Sequence, residues 1–199
     1  MALSVDLAEP AAKIATIPPS LPMIETLQTE RLVGERIRPE DREDLLMMHS
    51  DPRVMVTLGG IRSTAESDRF LNESLEHWNR HGFGLWVFRE PDRGRYVGRA
   101  GLRHVEVGGA HEIELAYALM ADYWGCGLAT ELGRTLLKLA FGPLGMGQVV
   151  CFTLTSNRAS QRVMEKLGFT FEREIIHLGF PHVLFRIQVT DSNTDSHKS

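Results

Sequence analysis

Cysteine is nearly missing from this chain: Cys126 and Cys151 are the only two in 199 residues. That excludes a disulfide-stapled scaffold and a four-cysteine zinc site. A large charge of one sign is missing too. With 22 basic and 26 acidic side chains the net charge is −4, so the chain has neither a basic excess for nucleic acid nor an acidic tail. No apolar run approaches the roughly 18 residues of a membrane-spanning helix. The opening MALSVDLAEPAAKIATIPP lacks the cationic start and sustained apolar stretch of a secretory signal. His111-Glu112 misses the HExxH zinc pattern because Leu115 holds its fifth position, and the histidines do not cluster, so no metal is expected. These absences predict a soluble cytoplasmic protein with neither nucleic acid nor membrane as partner.

What remains is ample for a core. Hydrophobic residues make up 43% of the chain, a length and composition that suit one domain. Pro10, Pro18, Pro19 and Pro22 crowd the start, so residues 1–26 are expected to form a mobile arm. Residues 190–199 are almost wholly polar and are expected to fray. The folded domain is then 27–189.

Its pattern alternates strands and helices. Arg31 to Arg38 reads as a strand, and Pro39 opens a helix that stops before Pro52. A second helix follows Ser63, with Phe70, Leu71, Leu75 and Trp78 at helical spacing. Phe83 to Phe88, Tyr96 to Val105 and His111 to Leu119 read as strands. From Gly127 the apolar positions Leu128, Leu132, Leu136 and Leu139 form one helical face, ended by Gly142-Pro143. Gln148 to Leu154 is a strand. Asn157 starts a helix with Ala159, Val163, Met164 and Leu167 inward, and Phe169 to Ile176 and Val183 to Val189 close the chain. The order, βααβββ and then αβαββ, argues an α+β or α/β sheet layered with helices.

The loop Tyr123-Trp124-Gly125-Cys126-Gly127-Leu128-Ala129-Thr130-Glu131 joins a strand to a helix start. Its glycines let the backbone turn tightly and approach a ligand, and amides at a helix N-terminus attract anions such as pyrophosphate. It lacks the GK[ST] of a Walker loop and the full GxGxxG of a dinucleotide fold. Glycines that merely shape a turn read the same way.

Glu114-Leu115-Ala116-Tyr117-Ala118-Leu119 followed by this loop resembles the acyl-CoA-binding motif of the GNAT acetyltransferases, most closely their ribosomal-protein (Rim-type) branch. Asn157-Arg158-Ala159-Ser160, continuing to Glu165-Lys166-Leu167-Gly168-Phe169, resembles that branch's second motif. Thr29-Glu30-Arg31-Leu32 and Arg38-Pro39-Glu40-Asp41 resemble its first strand and helix. The resemblance covers residues 27–189. It implies a mixed, mostly antiparallel sheet splayed into a V and flanked by about four helices, with acetyl-CoA as cosubstrate between the strands of Glu114 to Leu119 and Gln148 to Leu154. Pyrophosphate is then expected on the amides of Gly125 to Thr130, through Gly125, Cys126, Gly127, Leu128, Ala129 and Thr130, beside Trp124. Cys126 stands where that family often has a cation.

The implied reaction is acetyl transfer to an amine by direct attack in a ternary complex. A backbone N–H near Ala118 to Met120, with Leu119 and Met120 as contacts, is expected to polarise the thioester carbonyl. Glu114 is the expected general base, matching a glutamate common on this strand. Alternation puts Glu112, Glu114, Ala116 and Ala118 on one face and Ile113, Leu115, Tyr117 and Leu119 on the other. Two glutamates about 7 Å apart face one cleft or, equally, a solvated surface. Ser160 is the expected proton donor to the departing thiolate, or an exposed first-turn residue. Asn157 reads as a pantetheine or water contact, or simply as a helix N-cap. Met164 replaces a tyrosine frequent in the family and reads as core. Trp124 reads as packing more than as acceptor lining. His104 and His177 are alternative bases or surface residues, and Cys126 is a helix-terminal thiol without a neighbouring histidine.

The acceptor is expected to be a protein N-terminus or a small-molecule amine. An α-amine is about a tenth neutral at pH 7, whereas lysine is far less so. Acceptor specificity is expected from Thr57 to His81 and from His177 to His182. Glu66, Asp68, Glu73 and Glu76 either favour a cationic acceptor or form a solvated helix face. A homodimer through the last strands is compatible with the pattern. A non-catalytic acyl-CoA sensor and a nucleotide-binding module are the competing functions.

Overall fold

The computed structural model describes residues 24–189. Most of the arm expected over 1–26, and the tail expected over 190–199, lie outside the described residues. The arm's last residues already belong to the fold. Arg36 N–H donates to the Glu25 carbonyl at 2.7 Å, and the Trp86 indole N–H donates to the Ile24 carbonyl at 3.2 Å.

The strands are β1 (Thr26–Gln28), β2 (Val33–Arg36), β3 (Leu85–Arg89), β4 (Tyr96–Val107), β5 (Ala110–Leu119), β6 (Gln148–Leu154), β7 (Thr170–His177) and β8 (Phe180–Gln188). The helices are α1 (Arg42–Ser50), α2 (Pro52–Met55), α3 (Thr64–His81), α4 (Leu128–Phe141) and α5 (Arg158–Lys166), with 3-10 turns at Pro39–Asp41 and Ala121–Tyr123. They build one 8-stranded sheet in the order β1-β2-β3-β4-β5-β6-β8-β7.

Every neighbouring pair is antiparallel except β5 and β6, which run parallel and share one register pair, Glu114 with Val150. Beyond that pair the strands are no longer bonded to each other, which is the expected splay.

Four points differ from expectation. Pro52 does end α1, but it also starts α2, because proline's fixed φ suits a first helical position and Asp51 caps it by accepting from Arg53 N–H. Short β1 was not anticipated, and β8 begins at Phe180 rather than Val183. Ala159 is exposed, not inward, since it lies in the first turn of α5.

α3 begins at a capping box in which Ser63 and Glu66 satisfy each other's backbone N–H, and ends on left-handed Gly82. Its Trp78 is fully buried, donates to the Leu85 carbonyl at 2.8 Å and packs edge-on against Trp86. Leu128, Leu132, Leu136 and Leu139 of α4 are all buried, as their spacing predicts. Met164 is completely buried.

One buried and one half-buried histidine give stability a pH dependence. His77 Nδ1 lies 2.9 Å from the Phe83 carbonyl, and its Nε2 accepts from His104 N–H at 2.9 Å. A carbonyl only accepts and an amide N–H only donates, so the ring is neutral with its proton on Nδ1. Burial, reinforced by His81, lowers its pKa to about 4, and burial beside Arg99 and Arg62 lowers that of His49 to about 3.

Both values fall below the unfolded value near 6.5, so their contribution is complete above it and declines as pH drops toward the folded values. Each site removes at most about 1.4 kcal/mol per pH unit in that window, and less for partly exposed His77. Urea midpoints should therefore fall between about pH 6.5 and pH 4. His77→Gln, which retains a donor and an acceptor, should flatten the slope; an unchanged slope would contradict the assignment.

Candidate functional site

Where β5 and β6 part, a cleft of about 670 Å³ opens. It is lined by β5 from Glu114 to Leu119, β6 from Cys151 to Thr153, the Trp124-to-Thr130 loop, α5 and the Val54-to-Leu58 segment. Thus Glu114, Leu119, Trp124, Gly125, Gly127, Leu128, Ala129, Thr130, Asn157 and Ser160 all border one space.

The loop is built to present donors. Gly125 and Gly127 take φ of +76° and +80°, a region that only glycine enters without strain. Among the described residues no acceptor engages the N–H groups from Gly125 to Thr130. The next amide, Glu131 N–H, already bonds to the Gly127 carbonyl. These free amides stand at the positive end of α4 and fit a pyrophosphate.

A tether from far along the chain holds this loop. Arg31 Nη1 donates to the Cys126 carbonyl at 2.9 Å, and Glu131 accepts from Arg31 Nε at 2.7 Å and from Thr29 Oγ1 at 2.6 Å. Burial alone would raise the Glu131 pKa, but these donors bring it below its ordinary value. Cys126 itself is exposed, with Sγ 3.4 Å from the Trp124 carbonyl.

Position 126 carries no cation, but on α5 Arg158, Arg162 and Lys166 form an i, i+4, i+8 stripe that borders the cleft. Trp124 is 49% exposed, with its indole N–H donating to the Leu119 carbonyl at 2.9 Å, so its side chain forms the rim rather than core.

Met120 departs from expectation. Its N–H is engaged by the Val97 carbonyl at 2.9 Å, so it is not free to polarise a ligand carbonyl. Alternation turns Ala118 the same way and sends the Tyr117 and Leu119 amides into the gap facing β6.

Glu114 is 5% exposed rather than solvated, and Arg103 Nε donates to its Oε2 at 2.6 Å. Its Oε1 has no hydrogen-bond partner among the described residues. Glu112 does not join it, because Arg186 holds that carboxylate at 2.8 Å.

Asn157 is an N-cap: its Oδ1 accepts from Ser160 N–H at 3.1 Å and its Nδ2 donates to Thr153 Oγ1 at 3.0 Å. Ser160 Oγ lies 2.7 Å from the hydroxyl of Tyr117, a residue not anticipated as functional. Burial, with Cys151 nearby, raises the Tyr117 phenol far above its ordinary pKa and keeps it protonated. Burial and neighbouring Glu114 likewise raise the Cys151 thiol, which makes it a poor nucleophile. His104 and His177 do not line the cleft; His104 stacks on His81 at 4.2 Å and His177 packs on Phe152.

Glu66 is engaged in its capping box and Asp68 pairs with Arg42, so neither is free to attract a cation. Among the described residues no group of three or more histidine, cysteine or carboxylate side chains is placed to hold a metal, and no helix is long and apolar enough to cross a membrane.

Residues 31–170 match the family model described as an acetyltransferase (GNAT) domain. The FsC-acetyl coenzyme A-N(2)-transacetylase of Aspergillus fumigatus is 30% identical over 158 residues, covering 73% of this chain and 65% of that protein. A GnaT-family acetyltransferase from Bordetella pertussis superposes with a TM-score of 0.72 at 25% identity, over 81% of this chain and 98% of that one. The ribosomal L7/L12 alpha-N-protein acetyltransferase RimL, solved with coenzyme A, shares the fold at 14% identity, with a TM-score of 0.67 over 83% of this chain and 98% of that one. With the splayed sheet and the free amides at α4, the matched domain makes this chain a member of the GNAT acetyltransferase family.

Proposed function

We propose that the protein transfers acetyl from acetyl-CoA to a primary amine, with Glu114 as general base. The observation that carries this reading is the row of unengaged amides from Gly125 to Thr130 opening onto the same cleft as Glu114. Bound acetyl-CoA would supply the thioester. The loop amides and the Arg158, Arg162 and Lys166 stripe hold its phosphates, and the Tyr117 and Leu119 amides face its acyl end.

Glu114 Oε1 takes the proton of the acceptor's ammonium, directly or through water, while Arg103 fixes Oε2. The neutral nitrogen then bonds to the acetyl carbon as the carbon–sulfur bond breaks. The sulfur leaves with the electron pair and takes a proton, and the second proton, shed by the acylated nitrogen through water, restores the group that gave it. Ser160 and Tyr117, hydrogen-bonded at 2.7 Å, form the donor pair for the sulfur. That pair stands in for the tyrosine that Met164 replaces.

The acceptor class is finer than the family. RimL is named for a protein N-terminus and the Aspergillus relative for an N(2) amine, so both protein and small-molecule amines belong to the reading. A homodimer through the last strands is supported by the exposure of Phe171 and Ile176 on β7, one edge of the sheet.

Incubation with acetyl-CoA and a panel of amines, scored by free thiol release and product mass, tests the reading. N-acetylated product matching thiol release supports it. Thiol release without an acetylated amine would contradict it.

A further inference from the structure

Arg99, in the middle of β4, is 5% exposed and borders the cleft. Its Nε is buried without a hydrogen-bond partner among the described residues. The guanidinium lies over Phe70 of α3, 4.4 Å from the ring centroid, and Arg62 lies over the same ring at 4.9 Å. The Arg62 guanidinium reaches Nε2 of neutral His49 at 3.4 Å. Two cations thus share one ring, and among the described residues neither has a carboxylate at ion-pair distance; Glu66 and Glu73 act on Arg62, and Glu114 on Arg99, only from farther off.

Nearby arginines are matched. Arg103 pairs with Glu114, Arg42 with Asp68, and Arg89 with Asp41 and Asp44. Burial, with Arg103 and Arg62 nearby, lowers the Arg99 pKa only to about 10, so it remains a cation at neutral pH. A buried cation lacking a counter-ion is unfavourable, and the ring's negative face offsets only part of that cost.

The sheet register shows what would fit. Arg99 sits opposite Ala118, Gly101 opposite Ala116, and Arg103 opposite Glu114. The middle row carries only a hydrogen and a methyl group. Between the unpaired guanidinium and the carboxylate of the base, the side chains that β5 turns to this face are only the methyl groups of Ala116 and Ala118, which border the cleft, while the Gly84 backbone covers Gly101. Four residues span about 13 Å of strand, shortened by the reach of the two side chains.

We propose that the acceptor is a small amino-carboxylate, whose carboxylate pairs with Arg99 beside Arg62 while its amine meets Glu114. This rests on the acetyl-transfer reading and names its substrate class. The planar guanidinium suits a carboxylate bidentately, and a site with buried unmatched donors discriminates against the analogue that lacks the anion.

The test compares kcat/KM for acetyl transfer to amino acids and to glycine, β-alanine and γ-aminobutyrate against their amides and decarboxylated amines. The acids should be preferred by about 100-fold or more over their amides. Arg99→Gln should collapse that ratio toward one, and Arg62→Gln, at a less buried position, should reduce it less. Circular dichroism and retained acetyl-CoA binding verify that each variant is folded.

Equal use of acids and amides, or of neutral peptides and free amino acids, would overturn the inference while leaving acetyl transfer intact. An unaltered ratio in both variants would do the same. Independently of turnover, calorimetry on the CoA-loaded protein should detect the acids and not the amides. Absence of binding by every amino-carboxylate would also overturn it, whereas failure of acetyl-CoA itself to bind would count against the acetyl-transfer reading.

Discussion

Glu114→Gln should lower kcat by about 10²- to 10⁴-fold, the range for loss of a positioned base. Acetyl-CoA affinity should hold, because the substitution leaves the free amides of the Gly125-to-Thr130 loop untouched. The carboxamide keeps the shape of the side chain and can still accept from Arg103 Nε through its oxygen. Arg103 is partly exposed, so solvent screens the charge that loses its partner.

What disappears is the proton acceptor at Oε1. The defect should therefore depend on pH. An α-amine with a pKa near 7.7–8.0 deprotonates unaided as pH rises. The gap between wild type and variant should narrow from about pH 7 to pH 9, measured as kcat/KM for the amine. A defect that stays constant over that interval would point to misplacement of the acceptor and not to loss of a base.

Gly127→Val should weaken acetyl-CoA binding by about 50- to 100-fold. Gly127 holds φ at +80° immediately before α4. A β-branched residue is a strained occupant of that region, at a cost of about 1–3 kcal/mol. Relief of that strain would rotate the peptide plane and re-aim the amides from Gly127 to Ala129. The new side chain would also approach Arg31, whose Nη2 lies 3.7 Å from the position of a Cβ at this site. Because the tether through Glu131 and Thr29 anchors the loop from outside the cleft, the chain should stay folded. Calorimetry reads the affinity and urea unfolding the stability. A variant that binds acetyl-CoA like wild type would mean that the phosphates lie elsewhere.

The parts of this molecule legible from sequence are those determined by near neighbours. The leucine stripe of α4 needs only its own spacing, and all four leucines are buried. The capped start at Asn157 and the Gly125–Gly127 turn are likewise local, and both form as read. α2 was missed because a single turn opened by Pro52 leaves little periodic signal.

Tyr117 was missed for a different reason. Alternation correctly places it opposite Glu114, but at a splayed edge both faces of β5 border the gap, so opposite faces serve one cleft. Long-range pairing was invisible. Arg31 reaches the Cys126 carbonyl across 95 positions, and only the tertiary fold shows that Arg103 has a carboxylate while Arg99 does not. Within the stretch Ala118 to Met120, sequence could not show that the Val97 carbonyl on β4 engages the Met120 amide. The stripe of Arg158, Arg162 and Lys166 went unread although its four-residue spacing is in the sequence, because only the fold shows that it faces the cleft.

The claim at the centre of this account is that the Gly125-to-Thr130 loop and the β5–β6 gap together hold acetyl-CoA. Calorimetric titration of the wild-type protein with acetyl-CoA, with ATP as the comparison ligand, tests it most directly. The account predicts saturable binding at one acetyl-CoA per chain and much weaker binding of ATP, which lacks the pantetheine arm that fills the gap. No heat of binding up to about 1 mM, an interaction weaker than about −4 kcal/mol, would contradict it.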